Sequence, residues 1–190
     1  MALTQVAAGL LAGSITSSQI TSVAASTLTG TQTIPRGTLP TGSVLQVVSA
    51  TTTSTTTNTT STPADVTGLT ATITPSSSSS KVLVMVATQW QLFRSAIEVA
   101  GYLIVLRGAT TIFNQSANSL GMEAGLSTGS RIYLTGWYAP SIVDSPATTS
   151  ATTYKVQLSC VSTGSSGSIT VNNQGNNTQT SSIILMEIAA

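Results

Sequence analysis

The side chains able to move protons or hold metals are few in this sequence. It has no histidine, a single cysteine at Cys160, and five carboxylates: Asp65, Glu98, Glu123, Asp144 and Glu187. Without histidine the commonest general base, triad relay and transition-metal ligand are all missing. Five carboxylates leave paired-acid chemistry of the glycosidase kind, which needs two of them facing across a cleft. No two stand in a suggestive local arrangement. Asp65 follows Pro63-Ala64 and Asp144 precedes Ser145-Pro146, so both read as turn residues. The phosphate-cradling patterns G-x-G-x-x-G and G-x-x-x-x-G-K-[ST] are absent. The expectation is a protein with no catalytic residues, no metal and no cofactor.

Binding chemistry has more to work with. Arg94, Glu98 and Arg107 form the densest charged group, readable as a spot for an anionic sugar or a neighbouring subunit. The competing and favoured reading is a structural ion pair between adjacent strands or subunits, which contributes little where exposed. Flat aromatic rings stack on sugar faces, and amides beside them bond hydroxyls. Trp90 lies between Gln89 and Gln91, while Tyr133, Trp137 and Tyr138 are close together. Trp90, Tyr133, Trp137 and Arg94 are therefore the candidate contacts for a glycan or partner, against the plainer reading of core or interface anchors. Three N-x-[ST] matches, at Asn58, Asn114 and Asn176, arise by chance in a chain so rich in Ser and Thr.

The elements that must position these residues are legible from composition. Only 6% of the 190 residues are charged, with net charge +1, while 41% are hydrophobic. Ser and Thr occupy the places that charges usually take. Such uncharged, β-branched sequence suits strands, so the class expected is all-β. Its six basic residues are widely spaced, so no nucleic-acid footprint exists. No apolar run approaches the roughly 18 residues of a membrane span, and no signal peptide is evident at the N-terminus. With so little charge to hold copies apart, a stable homo-oligomer is expected. Cys160 falls in an alternating pattern and reads as a small apolar residue.

Residues 1–42 read as an extended attachment segment, with a short helical stretch around Leu3 to Leu11. From Gly13 to Leu28, "GSITSSQITSVAASTL" nearly repeats every eight residues. Its sparse apolar side chains, with Leu10, Ile15, Ile20, Val23 and Leu28 as the candidate attachment residues, can be buried only against other copies or a partner. "TIPRGTLPTGS" then forms a rigid connector. Residues 43–190 read as a β-sandwich of about eight or nine strands, of jelly-roll type. "LTATIT" alternates and stops at Pro75, "KVLVMVATQW" suits a central strand buried on both faces, and Gly108 marks a hairpin. "TTYKVQLSCV" places Tyr154, Val156, Leu158 and Cys160 on one face. The Thr-rich tract from Ser49 to Pro63 is readable either as a loop or as an edge strand.

Five phrases in order, "VLQVV", "DVTGLTATITPSSSSSKVLVMV", "VLRGATTI", "DSPATTSATTYKVQLS" and "IILMEIAA", resemble a module of tail-fibre-like and other virion proteins of tailed phages, notably those of marine and freshwater bacteria. The opening "GLLAGSITSSQI" is similar to the degenerate G-S-I-T-S-A-K-I repeats at the start of such proteins, with Ser18-Gln19 where Ala-Lys is common. The resemblance implies a homotrimeric, non-enzymatic virion protein, attached by its N-terminal segment to tail, baseplate or capsid proteins. It identifies no receptor site. A short tail fibre binding a host-surface glycan is the first reading, and a capsid decoration or head-fibre protein the second.

Overall fold

The computed structural model describes residues 39–94, 99–114, 120–122, 131–162, 167–173 and 179–190. Twelve strands are found among them: β1 (Val44–Thr52), β2 (Thr56–Asn58), β3 (Ala64–Ile73), β4 (Lys81–Arg94), β5 (Val99–Arg107), β6 (Thr110–Asn114), β7 (Leu120–Met122), β8 (Ile132–Tyr138), β9 (Ser141–Asp144), β10 (Thr152–Ser162), β11 (Gly167–Val171) and β12 (Ser181–Ile188). They form a seven-stranded and a five-stranded sheet, all pairings antiparallel.

The long strand β4 explains the count. Along one edge it pairs β12 at Lys81 to Ala87 and β11 at Trp90 to Arg94. Along the other it pairs β9 at Val82 to Met85 and β8 at Thr88 to Arg94. The pairs β1/β2, β11/β12 and β8/β9 thus each act as one interrupted strand, as do β6/β7 on β5. Eight composite strands remain. In chain order they lie 1-8-3-6 in one sheet and 2-7-4-5 in the other, which is jelly-roll topology. The expected all-β jelly-roll sandwich is therefore the observed fold, and its interruptions account for strands beyond the eight or nine read from sequence.

The core lies between the sheets. Tyr154, Val156, Leu158 and Cys160 of β10 all face inward, as their alternation requires, and meet Val82, Val84, Leu92, Ile183 and Leu185 within one buried cluster. Each such side chain contributes about 1.5–3 kcal/mol of apolar transfer. In β3 both Val66 and Leu69 are buried although three residues apart. The strand achieves this through a bulge, visible as a register shift against β10, at Gly68, whose φ of 76° lies in the left-handed region. A side chain there would also strike Thr52, whose Oγ1 would be 2.8 Å from the added carbon.

Two expectations change, and one reading left open is decided. β4 is not buried on both faces: Val82, Val84 and Val86 are buried, while Leu83, Met85 and Ala87 on the outer side are half-exposed. The Thr-rich tract is strand in two pieces, β1 ending at Thr52 and β2 forming a sheet edge. Asp65 and Asp144 sit within strand ends rather than free turns, each paired with a cation of the same chain, Lys155 of β10 and Arg107 of β5. Leu10, Ile15, Ile20, Val23 and Leu28, with the stretch around Leu3 to Leu11, lie outside the described residues.

Candidate functional site

Beyond Ala87 the outer side of the seven-stranded sheet changes character. Register sets Trp137 opposite Gln89, Thr135 opposite Gln91, and Tyr133 opposite Phe93. On the far side of β4, Gln91 faces Thr170, which in turn faces Thr57. Trp137 and Tyr133 are 62% and 57% exposed. Four residues apart on one strand, they project from the same face about 13 Å from each other. Tyr133 is steadied by Phe93, with ring centroids 5.0 Å apart. Between the two rings lie uncharged polar groups held in place. Asn173 Nδ2 donates to Gln91 Oε1 at 2.8 Å, and the Thr57 and Thr170 hydroxyls are bonded to each other at 3.0 Å. The surface offers stacking faces at its ends and amide and hydroxyl partners at its centre, with Arg131 exposed just before Tyr133 at one end.

Two of the four predicted contact residues do not belong to it. Trp90 is only 7% exposed because its ring fills the space beside Gly136 inside the sandwich. An added carbon at Gly136 would be 2.7 Å from Trp90 Cζ2. Arg94 is 2% exposed, on the inward side of β4 with Leu92, so its guanidinium is not offered to a ligand. Tyr133 and Trp137 are brought together with Gln91, while Gln89, opposite Trp137, is itself only 2% exposed and donates to the Trp90 carbonyl. Those amides, read from sequence as neighbours of Trp90, face the opposite side of their strand.

The charged group also resolves differently from its sequence. Glu98 lies outside the described residues. Arg107 pairs with Asp144, its Nη1 2.8 Å from each carboxylate oxygen, and Tyr154 Oη donates to Asp144 Oδ2 at 2.7 Å. Burial first, then this bond, pushes the Tyr154 phenol far above its ordinary range. Burial likewise raises the Tyr138 phenol and the Cys160 thiol. Asp65 accepts from Lys155 and Gln157. Partial burial pushes its carboxyl upward, but these bonds outweigh burial and hold it below the usual range.

Glu187 is the side chain that sequence reasoning passed over. It is fully buried on β12, next to the turn between β3 and β4. Its Oε1 accepts from Ser76 N at 2.7 Å, Ser76 Oγ at 2.6 Å and Ser80 Oγ at 2.8 Å, while Oε2 accepts from Gln46 Nε2 at 2.6 Å. Burial alone would raise its pKa; the donated bonds win and lower it. The signal was present in "SSIILMEI", where Ile183, Leu185 and Glu187 share the inward parity. A cleft of about 310 Å³ beside it is lined by Leu39, Leu45, Ser76, Ser77, Ser79, Ser80 and the last two alanines. The bonds to Glu187 tie β1 and β12 to the turn before β4. Among the described residues no group of three or more His, Cys, Asp or Glu is placed to hold a metal ion. No helix among them is long and apolar enough to cross a membrane.

No protein-family model matches the chain, and no curated protein matches it. Solved structures that it resembles include particles of infectious bursal disease virus. The T13 viral particle is 14% identical, covering 78% of this chain and 36% of that one, with a TM-score of 0.32. The VP2 subviral particle is 16% identical over 78% and 38%, with a TM-score of 0.33. T=1 particles derived from the same virus give 16%, 78% and 37%, again with a TM-score of 0.33. The chain spans a little over a third of the length of these proteins.

Proposed function

We propose that this chain is a non-enzymatic structural protein of a tailed-phage virion: a homotrimeric short tail fibre. In this reading residues 1–42 attach it to other virion proteins and residues 43–190 present the sandwich to the host surface. The observation that carries the reading is the ordered set of phrases from "VLQVV" to "IILMEIAA" behind an uncharged, near-repeating N-terminal segment. The fold suits it, because the loops and aromatic face of a rigid jelly roll can be offered outward while another part is held in an assembly. Tyr133 and Trp137, with Gln91 and Thr135 between them, are the groups proposed to meet a neutral host glycan. A second reading is a decoration or head-fibre protein clipped to the capsid through the same segment.

Attachment is tested with Ile20→Asp/Leu28→Asp. The doubly substituted chain is expected to be missing from purified particles while its circular dichroism remains that of the wild type. Normal incorporation contradicts attachment through this segment. Glycan contact is tested on an array of neutral host-surface oligosaccharides. Tyr133→Ala/Trp137→Ala is expected to weaken binding at least about fivefold, from about 0.5–1.5 kcal/mol of stacking per ring. Unchanged binding removes these rings from the site, and silence of the wild type across the array argues for the capsid reading.

A further inference from the structure

Gln89 stands at the Trp137 end of the aromatic face with half of its amide unused. It is 2% exposed, and its Oε1 meets no donor among the described residues. Its Nε2 donates to Trp90 O at 2.9 Å, and a carbonyl accepts only the amino side of an amide, so the orientation is set. The direction of the side chain follows from the ladder. Gln89 O accepts from Asn172 N on the β11 side, and successive carbonyls of a strand alternate between its two edges. Trp90 O is therefore turned to the β8 side. The Gln89 amide leans with it toward Trp137, its cross-strand partner. A buried carbonyl without a donor is unfavourable, and a ligand that brings one removes the penalty.

Two residues along the same outward row, Gln91 offers the opposite end of its amide. Its Oε1 is taken by Asn173 Nδ2 at 2.8 Å, so Nε2 is the end left to a ligand. Residues at i and i+2 of a strand stand about 6.7 Å apart on one face. An acceptor and a donor thus lie at about that separation beside the exposed Trp137 ring. A secondary amide matches them. It is planar and trans, with N–H and C=O pointing in opposite directions. Set between the two glutamines, it donates to one and accepts from the other. A hydroxyl has one polar atom where the amide has two.

We propose that the glycan held on this face carries an acetamido group, as in an N-acetylated hexosamine, and that Gln89 Oε1 is the specificity-determining acceptor; the inference rests on the glycan reading above. The sugar ring stacks on Trp137, the acetamido N–H meets Gln89 Oε1, and the acetamido carbonyl meets Gln91 Nε2. Because Gln89 Oε1 is closed to solvent, the Trp137 ring turns aside to admit the group. Among the described residues no ring contact holds that side chain.

The test titrates the full chain by calorimetry with N,N′-diacetylchitobiose and with cellobiose, which differ only in acetamido against hydroxyl. The wild type is expected to bind the acetylated disaccharide about fivefold more tightly, from the one hydrogen bond that cellobiose does not make. In Gln89→Leu the preference is expected to vanish while cellobiose still binds. Equal wild-type affinities overturn the inference and leave the glycan reading standing, a result that needs no variant to fold. A preference that survives Gln89→Leu overturns the role of Gln89. An N-acetyl-lysine peptide that binds as tightly as the acetylated disaccharide overturns the sugar as its source. Array binding confined to sugars without an acetamido group overturns the inference alone, and silence toward both disaccharides and the whole array overturns it together with the glycan reading.

Discussion

Replacing Glu187 with alanine is expected to destabilise the sandwich by about 2–4 kcal/mol at neutral pH. The carboxylate is 0% exposed and accepts four hydrogen bonds, from Ser76 twice, Ser80 and Gln46. Alanine strands those donors in a place water reaches poorly, and a buried group left unpaired costs about 1–3 kcal/mol. The loss links three elements at once, since Gln46 belongs to β1, Glu187 to β12 and the serines to the turn before β4. Glu187→Gln keeps the shape but turns an acceptor into a donor facing donors, so it is expected to recover only part of the loss. The pH dependence separates the charge from the shape. The folded-state pKa is lowered below the ordinary 4.5. Its contribution is therefore complete above about pH 4.5 and disappears as pH falls through the folded value. Urea unfolding at pH 7 and again at pH 3, at fixed protein concentration, should show wild type and Glu187→Gln converging in acid. A constant gap between them would mean the carboxylate's charge is not what matters.

The second large effect is expected at Gly136. Valine there would place its Cβ 2.7 Å and 2.9 Å from Cζ2 and Cε2 of Trp90. The ring cannot retreat easily, because Val171 on β11 neighbours it on the other edge of β4 and is itself fully buried. Overpacking of this kind costs about 1–3 kcal/mol. For a chain of this size that is about 2–4 °C in Tm per kcal/mol. Because β8 also carries Tyr133 and Trp137, the strain reaches the aromatic face, and the proposed glycan affinity is expected to fall together with Tm. A thermal scan matching the wild type would show that Trp90 has room that its neighbours do not suggest.

The fold was legible because its alternation is regular. "TTYKVQLSCV" and "LTATIT" each declare an inward face, and turn residues bound them. Interruption was harder to read: nothing local in "GSITVNN" or "SSIILMEI" says that both lie along one edge of a single long strand. Trp90 illustrates the limit for the site. Its flanking amides made it look like a sugar platform, yet strand alternation sends Gln89 and Gln91 outward and Trp90 inward toward Gly136. Pairing across β4 and β8 then assembles the aromatic face from residues forty or more positions apart. Arg107 was equally out of reach, since its partner Asp144 comes from a strand of the other sheet.

The central claim is that this chain is built into a virus particle through its N-terminal segment. A cryo-EM reconstruction of the particle that carries it tests this most directly. The account predicts density for three jelly-roll bodies around one axis, aromatic faces outward, joined by residues 1–42 to the tail. Purified particles whose reconstruction has no density for the chain would contradict it.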